Sequence, residues 1–303
     1  MSALDDHALA ADLAERAGHL LLTLRANGGD PDVLRKAGDR QSHEFLMAEL
    51  ARERPSDAVL SEEGIDDKVR LTADRVWIVD PLDGTREFGD PGRTDWAVHV
   101  ALWSRTAPAP QESSSELYPA TATGVDAQGE GSASAGPGQL SETGTAAAEA
   151  GELIAGAVAL PAQNRVLSTA SPLTTGDPHL ADGDERAQRP LRMVVSRSRA
   201  SELVKEVAAR INAELVPWGS AGAKVATVVL GENDVYLHSG GFYEWDTAAP
   251  VAVARANGFH VSRIDGSPVA YNREDPLLPD ILVCRPAIAP VVLDAIREAT
   301  HAI

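Results

Sequence analysis

Cysteine is almost missing from this chain: Cys284 stands alone among 303 residues. A single thiol excludes an intramolecular disulfide and a cysteine-built zinc site, and it suits a reducing compartment. Set in an apolar stretch near a proline, it reads as a small buried apolar residue. Positive charge is also short, with 27 Lys and Arg against 45 Asp and Glu and a formal net charge of -18. That balance argues against a nucleic-acid polymer or an anionic membrane surface as partner. A small phosphorylated ligand stays open, because it needs only local positive charge or a metal ion. Aromatic residues make up 4% of the chain. No apolar run approaches membrane-spanning length. The opening MSALDDHALAADLAER has no basic segment leading into an apolar one, so no signal peptide is expected. A cytoplasmic globular protein is the resulting expectation, with length for one large or two modest domains.

One region lacks nearly everything a core needs. From Thr106 to about Ala150 the chain is Ser, Ala, Gly, Thr, Pro and Glu, with no lysine or arginine. Such a segment cannot bury enough apolar surface to offset its ordering entropy. Its flanks, DWAVHVALW and LIAGAVALP, both read as strands. A disordered acidic insertion between two strands of one sheet is therefore expected, with an interdomain linker as the competing reading. Residues 168 to 190 form a second polar excursion.

What remains is patterned. Leu9, Leu13, Ala17, Leu20, Leu21 and Leu24 repeat at helical spacing over residues 3 to 26, and a second helix is expected over roughly 40 to 53. DAVLSEEG reads as a short strand entering an acidic turn, and RVWIVD as a strand buried on both faces. In DWAVHVALW, Trp96, Val98, Val100 and Leu102 share one face. The last third alternates strands (LRMVVS, AELVPWG, DVYLH, DILVC) with helices (ASELVKEVAARI, KVATVVLG, the segment after Asp246, and one from about Ala287). Alternation of this kind indicates an α/β layer arrangement.

The segment WIVDPLDGTREF aims chemistry at the end of a strand. Pro81 and Gly84 punctuate a turn, and the bland reading is a surface turn. Yet Asp80 and Asp83, at the partly buried end of an apolar strand, repel unless something positive sits between them. Gly84 opens the backbone, and Thr85 can begin a helix, whose N-terminus seats phosphate. The pattern suits Mg2+, a hard cation with oxygen ligands. Two further acidic motifs can complete the cluster: Glu62 and Glu63 in LSEEG, and Asp246 in EWDTAAP beside Trp245. Asp246 reads equally as a helix N-cap, and Glu62 and Glu63 as solvated turn charges.

In this order, LSEE, DPLDGT and WDTAAP resemble the inositol monophosphatase-like superfamily of magnesium-dependent, lithium-sensitive phosphomonoesterases. Within it the chain is most similar to 3′(2′),5′-bisphosphate nucleotidases of the sulfate-assimilation type, particularly the actinobacterial ones. The resemblance runs from about residue 9 to 300, apart from the acidic insertion. It implies a layered αβαβα sandwich. The N-terminal α+β subdomain, residues 1–165, would carry most metal ligands; the α/β subdomain, residues 190–303, would add Asp246 and substrate contacts. Carried over by position, Glu62, Asp80 and the Leu82 carbonyl would hold one Mg2+, and Asp80, Asp83 and Asp246 a second. Glu63 is left to an outer or water-mediated place. Thr85, paired with Asp39 of AGDRQ, would orient the attacking water, and the Gly84 and Thr85 amides would receive phosphate. Paired cations about 3.5–4 Å apart can activate water, neutralise phosphate charge and stabilise the leaving oxygen. Family members carry a longer stretch ahead of the matched aspartate, where here only LRKAGDRQ stands; that bears on whether two ions or three are held.

Substrate choice is expected from groups outside the cluster. Arg86 follows Thr85, where the resembling nucleotidases carry Lys or Arg; Ser196 and Arg197 lie at a strand-to-helix junction, and Ser220 and Lys224 in GSAGAK. Each also reads as an ordinary surface or helix residue. The histidines present no such pattern, with His238 expected in the core or at the pocket rim. The resemblance implies a 3′-phosphoadenosine 5′-phosphate phosphatase, acting also on the phosphosulfate, with a small phosphorylated substrate as partner; the sequence does not set the oligomeric state, and a homodimer stays open. Inositol monophosphate or fructose 1,6-bisphosphate phosphatase is the alternative, and a noncatalytic phosphate-ligand binder a third reading.

Overall fold

The computed structural model describes residues 4–106, 151–173, 189–198 and 200–302. The acidic insertion lies outside the described residues except at its edge, as does most of the 168–190 excursion.

Helix α1 (Asp6–Ala26) starts where the Asp5 carboxylate accepts from the Ala8 N–H, satisfying one of the helix's orphan donors. Helix α2 (Pro31–Glu53) begins well before the expected residue 40. Asp30 caps it by accepting from the Asp32 and Val33 amides, and Pro31 occupies its first turn. Strands β1 (Ala58–Ser61) and β2 (Arg75–Asp83) follow, then the short α3 (Thr85–Gly89) and β3 (Ala97–Ser104). Beyond the insertion come β4 (Glu152–Leu160) and β5 (Arg165–Ser168), completing a sheet of order β1-β2-β3-β4-β5. Only β1 and β2 are parallel. Strands β3 and β4 pair directly, Ser104 opposite Glu152, so the acidic segment joins neighbouring strands of one sheet.

The second sheet has the order β7-β6-β8-β10-β9. It is built from β6 (Leu191–Ser196), α4 (Glu202–Arg210), β7 (Ala213–Trp218), α5 (Ala221–Val229), β8 (Val235–Tyr243), α6 (Glu244–Ala256), β9 (His260–Ser262), β10 (Leu277–Cys284) and α7 (Ala289–Ala302). Three apolar clusters cement five layers. Leu9, Leu13 and Leu46 pack on Trp77, Val79, Trp96, Val98, Val100 and Leu102, the face expected from the alternation in β3. Val225, Val229, Val251 and Val253, from α5 and α6, fill the space between the sheets against Val76, Ile78, Tyr236 and Ile281. Met193, Leu237 and Cys284 meet Val204, Val207, Val292 and Ile296 from α4 and α7. The result is the expected αβαβα sandwich. Cys284 is fully buried, which pushes its thiol up to about 12. Among the described residues, no helix is long and apolar enough to cross a membrane.

Candidate active site

Residues three apart on a regular strand face opposite sides of the sheet. Strand β2 departs from that rule: Asp80 pairs with His99 and Asp83 with Ala97, three steps on β2 against two on β3. The bulge at Pro81 and Leu82 therefore turns both aspartates to the same face. DPLD is an irregularity inside the strand and not a turn beyond it. The Asp80 and Asp83 carboxylates and the His99 ring offer atoms within 4.8 Å of one another, all buried. Next, Gly84 takes a left-handed φ of +88° and starts α3, a conformation open to glycine at little cost.

Thr85 sits in the first turn of α3, its hydroxyl 3.2 Å from the Asp39 carboxylate of α2 and 3.2 Å from the Leu82 carbonyl. The carbonyl expected among the metal ligands thus accepts from that hydroxyl. Burial, then the neighbouring Glu63, raises Asp39 to about 6 despite the Thr85 contact.

Asp83 is anchored from the opposite layer. Ser220 caps α5 and donates its hydroxyl to Asp83 Oδ2 at 2.5 Å, and the Gly222 amide donates to the same oxygen at 2.8 Å. His99 Nε2 lies 3.2 Å from it. Burial alone would raise the Asp83 carboxyl, but His99, Lys224 and Ser220 outweigh burial and lower it. His99 mirrors this: burial opposes its charge, and adjacent Asp83 raises it.

The other acids are pushed the opposite way. Asp80, 1% exposed, is raised well above the usual carboxylate range by burial, then by Glu62, Asp83 and Asp246. Glu62 is open to solvent along much of its side chain, yet lost hydration at its carboxyl, then Asp246, lift it to about 7. Asp246 rises to about 6 through burial, then Asp83. It stands at the third position of α6, not at the cap, and its Oδ2 accepts from the Tyr243 amide at 2.6 Å. Part of its bland reading is thereby fulfilled. Three carboxyls that resist ionising beside an Asp83 that favours it, with no sulfur donor among them, form an all-oxygen carboxylate set that a hard divalent cation satisfies.

These acids line a cavity of about 470 Å³, together with Leu82, Gly84, Thr85, Arg86, Ser196, Arg197, Ser220 and Lys224. Asp39 joins through Thr85, while Glu63 enters through its charge effect on Asp39 and on Glu62. Two expected substrate groups are already engaged. The Arg197 guanidinium contacts Glu87 Oε1 at 2.8 Å and Asp90 Oδ2 at 3.8 Å. Lys224, nearly buried, donates to the Ser220 carbonyl at 2.9 Å and to that of Gly219, with its ammonium 5.4 Å from the Tyr236 ring centre. Aromatic rings share the lining: Trp218, Tyr236, Phe242, Tyr243 and Trp245, with His238 stacked on Phe242 at 4.6 Å. The sequence points to Trp245, to His238 at the core or rim, and to Gly222 within GSAGAK, but not to Trp218, Tyr236, Phe242, Tyr243 or His99. A polar side chain between Ala97 and Ala101 on the inner face of β3 was the available signal for His99.

The profile of the Inositol monophosphatase family matches residues 8–109 and 143–301. The chain belongs to the inositol monophosphatase family. Within that family, a Mycobacterium leprae protein named 3′-phosphoadenosine 5′-phosphate phosphatase is 46% identical over 302 residues, covering 97% of this chain and 94% of its own length. A protein of the same name from Mycobacterium bovis is 44% identical over 93% of this chain and 90% of its own. Among solved structures, CysQ from Bacteroides thetaiotaomicron, described as a bacterial member of the inositol monophosphatase family, superposes with a TM-score of 0.64. It is 26% identical, covering 92% of this chain and 96% of that one. Inositol monophosphatase II of Staphylococcus aureus shares the fold at a TM-score of 0.68 with 17% identity, over 97% of this chain and 96% of that one.

Proposed function

We propose that this chain is a Mg2+-dependent phosphatase that converts 3′-phosphoadenosine 5′-phosphate and water to AMP and inorganic phosphate. The observation that carries the reading is the cavity's mixed lining of carboxylates and aromatic rings. An acid cluster and rings drawn from a chain only 4% aromatic line the same cavity. A purine offers a face for those rings, whereas inositol and fructose phosphates offer mainly hydroxyls. The full-length likeness to proteins of that name supports the same choice.

Glu62, Asp80 and the Leu82 carbonyl would hold one Mg2+, and Asp80, Asp83 and Asp246 a second. Bound there, the ions would offset phosphate charge and favour ionisation of water. The chain's own groups do the rest. Asp39, as a carboxylate, draws the Thr85 hydroxyl proton toward itself, which leaves the hydroxyl oxygen to orient a water for in-line attack. The new P–O bond forms as the P–O3′ bond breaks, and the departing oxygen takes up a proton. The Gly84 and Thr85 amides face the transferred group, and Arg86 and Arg197 supply positive charge for the second phosphate.

A phosphate-release panel tests this with 3′-phosphoadenosine 5′-phosphate, inositol monophosphate and fructose 1,6-bisphosphate, with and without Mg2+. The nucleotide is expected to have the highest kcat/KM, and release is expected to vanish with EDTA. A higher kcat/KM for either sugar ester overturns the assignment.

A further inference from the structure

Among the described residues, His99 is the one fully buried histidine, and its two ring nitrogens both face acceptors belonging to the candidate site. Nδ1 lies 3.1 Å from the Trp245 carbonyl, so it donates there. Nε2 meets Asp83 Oδ2 in an ion-pair contact at 3.2 Å and, among the described residues, has no other polar partner. Gly222 closes the space beside it: a Cβ on Gly222 would stand 2.0 Å from Nε2. No room remains there for a ligand, so the ring addresses Asp83 and nothing beyond.

Asp83's hydrogen-bond and ion-pair contacts among the described residues fall on one oxygen. Ser220, Gly222 and His99 all address Oδ2, which leaves Oδ1 for the cavity. His99 arises from β3, Ser220 and Gly222 from the start of α5, and the Trp245 carbonyl from the first turn of α6. The ring therefore spans the sheet and α6, fixing Asp83 relative to the segment that carries Asp246.

We propose that His99 is a positioning residue of the acid cluster, using Nε2 to fix the rotation of the Asp83 carboxylate and Nδ1 to fix the start of α6. The inference rests on the proposed Mg2+-dependent reading and deepens it. An outer partner of a metal-binding side chain typically accounts for about 10–100-fold in metal affinity or activity.

Two variants separate positioning from packing. In His99→Gln the amide nitrogen reaches the place of Nε2 and keeps the Asp83 contact. In His99→Asn it reaches only the level of Nδ1, and that contact is lost. Mg2+ affinity is measured by calorimetry without substrate, beside kcat and the melting temperature in EDTA. Expected are His99→Gln within about threefold of wild type and His99→Asn weakened about 10–100-fold, at matching melting temperatures. Equal Mg2+ affinity in the two variants, whether both normal or both weakened, overturns the proposal. Failure of the functional reading looks different: the wild-type protein itself would show no Mg2+-dependent phosphate release.

Discussion

The Thr85 hydroxyl lies 3.2 Å from Asp39, joining the first turn of α3 to the middle of α2 across 46 residues of sequence. Asp39 acts on the hydroxyl only when ionised, and its environment holds it near 6. Turnover is therefore expected to fall as pH drops below about 6, and Asp39→Asn to lose about 10²–10⁴-fold in kcat. The stability effect has the opposite sign. A raised carboxyl favours the fold below its ordinary pKa of 3.8 and loses that advantage as pH rises through about 6. Asp39→Asn should accordingly stabilise the metal-free protein at neutral pH, by about 1 kcal/mol once solvent screening of a half-open site is allowed for. Kinetics and melting curves across pH check both signs.

The acid cluster makes a second prediction through the same linkage. Glu62 at about 7, Asp246 at about 6 and Asp80 well above its ordinary value all burden the fold as they ionise. That burden is absent below about pH 4 and grows as pH rises through 6 and 7. In EDTA, melting temperature should be lower at about pH 8 than at about pH 5.5. Excess Mg2+ should raise it at the higher pH, by about 2.7 kcal/mol of stability at a hundredfold excess over Kd. The increment should shrink at the lower pH, where protons compete. An Mg2+ increment independent of pH would count against these carboxyls as ligands.

Much of this was legible locally. The helical repeat of α1, the apolar runs of β2 and β3, and the three acidic motifs each announce themselves within a few residues, because they follow from side-chain period and turn chemistry. The start of α2 escaped because Val33 is exposed and the first turns carry no clean apolar stripe; Asp30 and Pro31 were the usable signal. The bulge in β2 and the part played by His99 were hidden for another reason. Both depend on the register between β2 and β3, and register is a relationship between strands that neither strand's own sequence states. The short edge strands β5 and β9, four and three residues long, carry too little pattern to read.

Arg70 offers a test of the fold away from the site. Its side chain is fully buried, gripping Asp66 at 2.6 and 3.0 Å and Asn272 Oδ1 at 2.8 Å, while Asn272 returns a hydrogen bond to the Arg70 carbonyl at 3.2 Å. This clasp ties the segment after β1 to the loop before β10. Arg70→Ala leaves Asn272 Oδ1 without this donor and Asp66 with Lys68 alone, and is expected to cost about 1–3 kcal/mol, read as a lower urea midpoint. Arginine's charge and hydrogen bonds hold Asp66 down at about 2. The pair's contribution is therefore complete above pH 3.8 and fades as pH falls through about 2. Kinetic constants of the folded fraction should stay at wild-type values.

Arg197 carries the last prediction, because it meets substrate already half-neutralised. Its guanidinium is 2.8 Å from Glu87, a carboxylate only 7% exposed, and 3.8 Å from Asp90. A second phosphate must share that charge with Glu87. Removing the arginine should raise KM for 3′-phosphoadenosine 5′-phosphate by about tenfold, with kcat nearly unchanged, the pattern of an interaction made equally in ground and transition states. Glu87→Gln should act in the opposite direction, lowering KM for the bisphosphate severalfold by freeing the guanidinium for bidentate contact. Neither change should alter KM for a nucleoside 3′-monophosphate, which has no second phosphate to offer. Equal effects on both substrates would place Arg197 at the transferred phosphate, and KM values unmoved by either substitution would leave it outside the substrate's reach.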